Sequence, residues 1–330
     1  MARERLKDID KAKGIAIFLV VLGHITLSGP PRDVEWYELL RIAIYKFHMP
    51  FFMYLSGYTM FYVLPKITSL KEYWIFIKKK AFRLLPPLLI FGILIGIGKF
   101  VMQSYMKVDG VPPFSYYEFL KIIIEPMASF ARSIWYIYVL FLFYLTIPLL
   151  LILSKYRLIP LFILGILIHF FRPTHYFAIF SYDEYFLYFV IGMISVKYRL
   201  VLSEYLNKFR IVFVILFLMS FSLLFLNIHG SQSKLIISLF SILALHSLML
   251  THLFDENKQV FLFAKYTFVI YLLNTITIGL TKGLILKYFS WDGYRFFFVA
   301  PIILIAGLYG PILIKKYLLN KITYLDKITN

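Results

Sequence analysis

Cysteine is absent from the chain, which removes thiolate nucleophiles, disulfide frameworks and thiolate metal sites from the available chemistry and leaves the redox compartment unread. Charge is scarce as well. Only 16% of the 330 residues are charged while 61% are hydrophobic, and the mean hydropathy is +0.80. A soluble domain runs at about 25% charged and about 45–50% apolar, so a water-soluble globular class is excluded. Internal repeats, low-complexity segments and any linker long enough to separate a second domain are also missing.

What is there is a succession of apolar blocks of bilayer length. About 20 residues at 1.5 Å rise cross a hydrocarbon core of about 30 Å, and continuous apolar runs without strand-like alternation point to helices rather than a barrel. The expected fold is therefore all-α, a polytopic bundle forming one domain over 1–330. Ten spans are predicted at 14–29, 42–64, 86–106, 133–153, 157–172, 184–196, 211–228, 235–253, 266–286 and 296–314, of which the fifth and sixth are short. The basic-then-apolar start resembles a signal peptide, but "TLSGPP" is a poor cleavage site, and the segment is kept as the first span.

The net charge of +18 raises the question of a nucleic-acid partner, and its placement decides against one. With the N-terminus inside, roughly two-thirds of the 35 Lys and Arg fall in cytoplasmic loops and tails, as the positive-inside rule requires. Both termini are then cytoplasmic, and anionic membrane lipids are the partners of most of these charges.

Several polar residues stand where a bilayer penalises them. Lys13 and His24 are eleven residues apart, about 16 Å of rise and within about 20° of three full turns, so they share a helix face. An ionisable residue inside the membrane marks a functional site by default, with an interhelical hydrogen bond as the structural alternative. A second constellation is "KFHMPFFMYLSGY", where His48 precedes Pro50 and Ser56-Gly57 permits close helix approach. A third is "KKKAFRLLPPLL", in which Lys80 and Arg83 at i, i+3 face one way just before Pro86-Pro87. Such a pair at a bundle mouth suits lipid contact or phosphate.

These three motifs, in this order, resemble the acyltransferase 3 family of bacterial integral-membrane O-acyltransferases. The family's first helix carries Arg or Lys, ten residues, then His, matched by Lys13 and His24. Its second holds a phrase like "FHMPLFFFLSGF", matched from Phe47 to Tyr58, and its third begins with R-x-x-R before I-x-P-P, matched by Lys80, Arg83, Pro86 and Pro87. Weaker echoes begin at Trp135, Tyr185 and Tyr266. The resemblance implies transfer of an acyl group, usually acetyl, from cytoplasmic acetyl-CoA to a hydroxyl of a cell-surface or lipid-linked glycan in the bacterial inner membrane. No permanently bound cofactor is implied, and acyl-CoA is the donor substrate. His24 would be the base or the acyl carrier, while Lys13, Lys80 and Arg83 would hold CoA phosphates. His48 and Ser56 would line the acceptor side or stand just behind it, with a structural hydrogen bond at His48 and helix packing at Ser56 as the alternatives. Asp10 matches an Asp that relatives carry shortly before the basic residue, or else caps the first helix. Asn274 stands where relatives often have His and is given no catalytic role. The esterase-like domain fused to some relatives is expected to be absent.

His169, His175, His229, His246 and His252 lack metal-ligand spacing and read as interfacial or packed. Trp36, Tyr37, Tyr116, Tyr117, Trp291 and Tyr294 read as an interfacial belt, with sugar stacking as the alternative. A transporter or glycan flippase is the competing class, but it would more often show internal repeats or paired broken helices. A non-catalytic scaffold would not need the Lys13/His24/Arg83 constellation.

Overall fold

The computed structural model describes residues 6–26, 30–105, 108, 115–171, 174, 176–226 and 231–329, and among these it contains helices and no strand. The principal helices are α1 (Lys7–His24), α2 (Glu35–Val63), α3 (Leu70–Met102), the short α4 (Tyr116–Ile124), α5 (Trp135–Leu153), α6 (Leu158–His169) and α7 (Ile179–Lys197). They continue with α8 (Arg199–Lys208), α9 (Arg210–Ser220), α10 (Ser222–Phe225), α11 (Ser231–Met249), α12 (Lys258–Lys265), α13 (Thr267–Leu286), α14 (Phe296–Tyr317) and α15 (Thr323–Ile328). Among the described residues, six helical stretches are long and apolar enough to cross a membrane, or seven if the pair bent by 76° across α8 and α9–α10 forms one span. The apolar α6 is shorter than that group.

Packing centres on α1 and α2. The closest approach in the bundle is between α2 and α7: a Cβ at Gly57 would lie 1.9 Å from the Phe189 carbonyl oxygen, and one at Gly192 would lie 2.0 Å from that of Tyr54. Only hydrogen fits at either point, which is how small residues replace the missing hydrophobic drive between helices in lipid. The expectation of close approach at Ser56-Gly57 is met. Helix α1 is surrounded by α2, α11, α12, α13 and α14, and its Ala12, Ala16 and Ile17 are fully buried.

Two local expectations need correction. Helix α3 does not begin at Pro86-Pro87; it starts at a Ser69/Glu72 capping box and runs straight through both prolines. The cap satisfies the first-turn donors, and the two prolines simply leave the carbonyls of Phe82 and Arg83 without their usual i+4 partners. Lys80 and Arg83 consequently lie within the helix rather than ahead of it. Asp10 is not an N-cap either, because α1 starts at Lys7 with Leu6 in the cap position and no side-chain cap bond. As an acid near the helix start it still complements the macrodipole.

Between α4 and α5 the chain from Glu125 to Ile134 is mostly non-helical and packs inside the bundle. Phe130 lies against Gly96 of α3, and Ser133 shares a 3.2 Å hydrogen bond with Thr275 of α13. Irregular backbone at that position is tolerated where it is buried in protein or lines a water-filled cavity.

Candidate active site

His24 is the last residue of α1 and is half-buried. Its Nδ1 lies 2.7 Å from Oδ1 of Asn274. The amide of Asn274, which is fully buried, is oriented by its own helix: Nδ2 donates to the carbonyls of Ile270 at 2.8 Å and Tyr271 at 2.9 Å. With both amide hydrogens so used, Oδ1 must accept, and Nδ1 of His24 is therefore the protonated nitrogen. The lone pair is left on Nε2. This is the arrangement a neutral imidazole needs to act as base or nucleophile, with the second nitrogen fixed by an acceptor.

Asn274 is thus the residue that sequence reasoning passed over. Its partner is 250 positions away, but an asparagine in the middle of "VIYLLNTITI" is itself a signal, since a buried amide must find partners. The Tyr271 hydroxyl oxygen, one turn earlier, accepts from the Tyr136 backbone N–H at 3.1 Å, which ties the start of α5 to the same turn of α13.

Lys13 is half-buried on α1, three turns nearer the N-terminus than His24, as its spacing requires. Lys80 and Arg83 do sit together. The ammonium of Lys80 is 4.2 Å from the Tyr144 ring and 5.4 Å from that of Phe76, a cation–π arrangement, and Arg83 is within electrostatic range of both Lys80 and Tyr144. Arg83 is exposed and has no acidic partner among the described residues.

His48 is buried. Its Nδ1 donates to the Ile44 carbonyl at 2.8 Å, its ring packs edge-on to Tyr45 at 4.9 Å, and it is within electrostatic range of His24. Ser56 Oγ bonds the Phe52 carbonyl at 2.8 Å and the Tyr136 hydroxyl at 2.6 Å, so it braces α2 against α5. Asp10 stays half-buried on α1.

The remaining histidines are engaged elsewhere. His169 Nδ1 donates to the Glu184 carbonyl, His246 contacts Tyr54 and Asp8, and His252 pairs with Asp255; His175 and His229 lie outside the described residues. No group of three His, Asp or Glu suited to a metal occurs among the described residues. Of the six aromatics expected at an interface, Tyr37 and Trp291 are buried and cannot stack on a sugar. Tyr37 donates to the Leu22 carbonyl at 2.6 Å and packs on Phe296, and Trp291 packs on Phe296 and lies under the Lys282 ammonium.

A family model described as an acyltransferase domain matches residues 6–316, which takes in α1 with His24, the Lys80/Arg83 turn and Asn274. The chain belongs to the acyltransferase 3 family. Two curated relatives share shorter stretches with this family member. Nodulation protein NolL of Sinorhizobium fredii is 33% identical over 112 residues, 33% of this chain and 29% of that protein. Nodulation protein NolL of Mesorhizobium japonicum is 45% identical over 53 residues, 16% of this chain and 14% of that protein. Each match thus spans less than a third of the relative's length. No solved structure matches the chain. Family membership and the apolar helices together support a membrane acyltransferase.

Proposed function

We propose that the protein is an O-acyltransferase of the bacterial inner membrane that moves an acetyl group from cytoplasmic acetyl-CoA to a hydroxyl of a cell-surface or lipid-linked glycan. The observation that carries the reading is the His24–Asn274 pair, which leaves a basic imidazole nitrogen available within a bundle of acyltransferase ancestry. In this scheme Nε2 of His24 takes the proton of the acceptor hydroxyl as its oxygen attacks the thioester carbonyl carbon. The tetrahedral adduct then collapses, the C–S bond breaks, and the leaving CoA thiolate recovers the proton from the imidazolium. Asn274 holds the ring in one tautomer throughout. The same nitrogen could carry the acyl group covalently between two half-reactions, and trapping an acyl-His24 adduct with labelled donor distinguishes the routes.

Lys13, Lys80 and Arg83 are assigned to the CoA phosphates, since two exposed or half-exposed cations one turn apart offer charge-assisted hydrogen bonds. Lysine at 13 and 80 supplies charge without the bidentate fork, so Arg83 is the cation best able to set phosphate geometry. For the topology, adding α1, α2, α6 and the bent pair to the six long apolar helices gives ten spans, with both termini cytoplasmic. Helix α1 is less apolar than the six because of its charged first two turns, and α2 because its five tyrosines, Arg41, Lys46 and His48 lower its hydropathy.

Turnover of acetyl-CoA by the purified full chain, measured with and without glycan acceptors, tests the assignment. His24→Ala is expected to lose activity by about 10²- to 10⁴-fold with its Tm and acetyl-CoA affinity retained. A variant that melts early yet transfers at near wild-type rate would remove His24 from the reaction.

A further inference from the structure

The segment Phe130–Tyr136 brings a cation beside His24 that the scheme above does not use. Ser133 bonds Thr275, the residue after Asn274, and Tyr136 bonds Tyr271, so the intervening turn is pinned at the level of the His24–Asn274 pair. Arg132 at its start is exposed and lies within electrostatic range of His24, Tyr45 and Lys99. It has no acidic partner among the described residues. An exposed guanidinium at that position needs water or a ligand around it, because an arginine facing hydrocarbon is costly.

Its neighbours are also donors. The Lys99 ammonium spends one hydrogen on the Phe130 carbonyl at 2.9 Å and keeps two. The Tyr45 ring lies against Gly23, 2.9 Å from where a Cβ would sit, and its hydroxyl is buried with no acceptor for its proton among the described residues. The nearby acid, Glu38, is paired through Oε2 with Arg41 at 2.7 Å, while its Oε1 is buried without a hydrogen-bond partner among the described residues. Arg132, Lys99 and the Tyr45 hydroxyl therefore gather about the Phe130–Arg132 turn, with Arg132 in electrostatic range of His24, and Lys13, Lys80 and Arg83 lie elsewhere in the bundle.

We propose that Arg132 and Lys99, with the Tyr45 hydroxyl, form an anion-binding subsite next to His24, so that the acceptor carries a carboxylate or phosphate close to the hydroxyl that is acylated. The inference rests on the acyltransferase reading for its word "acceptor"; the anion site itself does not. Arginine is the side chain whose planar fork fits either oxyanion, and seating the charge there would place a neighbouring hydroxyl at Nε2. Neutral glycans would lack that anchor.

Binding to the purified full chain in detergent tests this without turnover. Calorimetry would compare a glucuronate-containing tetrasaccharide, its carboxyl-reduced counterpart and glucose 1-phosphate at low and high salt. The expected result is at least about tenfold tighter binding of one charged probe than of the neutral one, the scale of one charge-assisted contact, weakened by salt. Which charged probe prevails distinguishes carboxylate from phosphate. R132Q should bring the charged-to-neutral ratio close to one, and R132K should restore part of it. Equal affinities, a ratio untouched by R132Q, or no binding of either charged probe at millimolar concentration would overturn the subsite. Charge preference in a protein that never consumes acetyl-CoA would instead overturn the acyl-transfer reading and leave the anion site standing.

Discussion

Two sets of cations divide this bundle. In one, each ammonium is met by an acid outside its own helix. Lys11, buried, reaches the Thr251 carbonyl at 2.7 Å and Asp255 at 2.5 Å, Lys234 reaches Glu184 at 2.8 Å, and Lys315 reaches Asp326 at 2.6 Å. In the other set, Lys80, Arg83 and Arg132 have no acidic partner among the described residues. A buried charge left alone costs several kcal/mol, so the first set is paired because it must be. The second remains near water with its donors uncommitted, which is the state a site for anionic groups requires.

The contrast is sharpened by asking each set for the readout of the other. Arg83→Ala should raise the apparent KM for acetyl-CoA by about 10- to 100-fold, the scale of one or two charge-assisted hydrogen bonds, and should leave Tm close to wild type. A normal KM would move Arg83 into the lipid-contact class. Glu184→Gln should do the opposite. It strands Lys234 with only the Tyr185 hydroxyl at 2.9 Å, and partial exposure of the pair limits the loss to about 1–2 kcal/mol, or a drop of about 2–6 °C in Tm. Donor KM should not change; if it does, the paired set reaches the site as well.

How far the sequence revealed this depends on whether partners lie on one helix or two. Lys13 with His24, and Lys80 with Arg83, are set by helical pitch alone, and both came out on shared faces. The Gly57 contact was legible because a small residue in an apolar helix has few other uses. Asn274 was not legible as the partner of His24, because only the packing of α13 on α1 brings the two together. Arg132 was invisible for a related reason: its importance comes from an irregular stretch folded back into the bundle, and irregular backbone carries no periodicity to read. Tyr37 and Trp291 misled because aromatic residues near span ends serve packing and interfaces equally well, and here both are covered by Phe296. The length of α3 was misjudged because two adjacent prolines ordinarily end or begin a helix, and the capping box at Ser69 outweighed them.

The smallest expected effect concerns Asp255, on the loop between α11 and α12. Hydrogen bonds from Lys11 and His252 hold its carboxyl below the ordinary value of 3.8. A carboxylate whose folded-state pKa is depressed stabilises the fold above the unfolded-state pKa and loses that contribution as pH falls through the folded value. Asp255→Asn should therefore lower Tm slightly at pH 7, less than Glu184→Gln does, because Asp255 is open to solvent and its pairing is screened. The difference from wild type should shrink as pH is lowered to 3.8 and below, where the native carboxyl protonates too, and it should shrink with added salt at neutral pH. Thermal melts of both proteins across pH and salt measure it. A gap that persists undiminished in acid would mean that the loop is held by the Lys11 bond to the Thr251 carbonyl and by shape, and that this lysine is buried for reasons other than its acid.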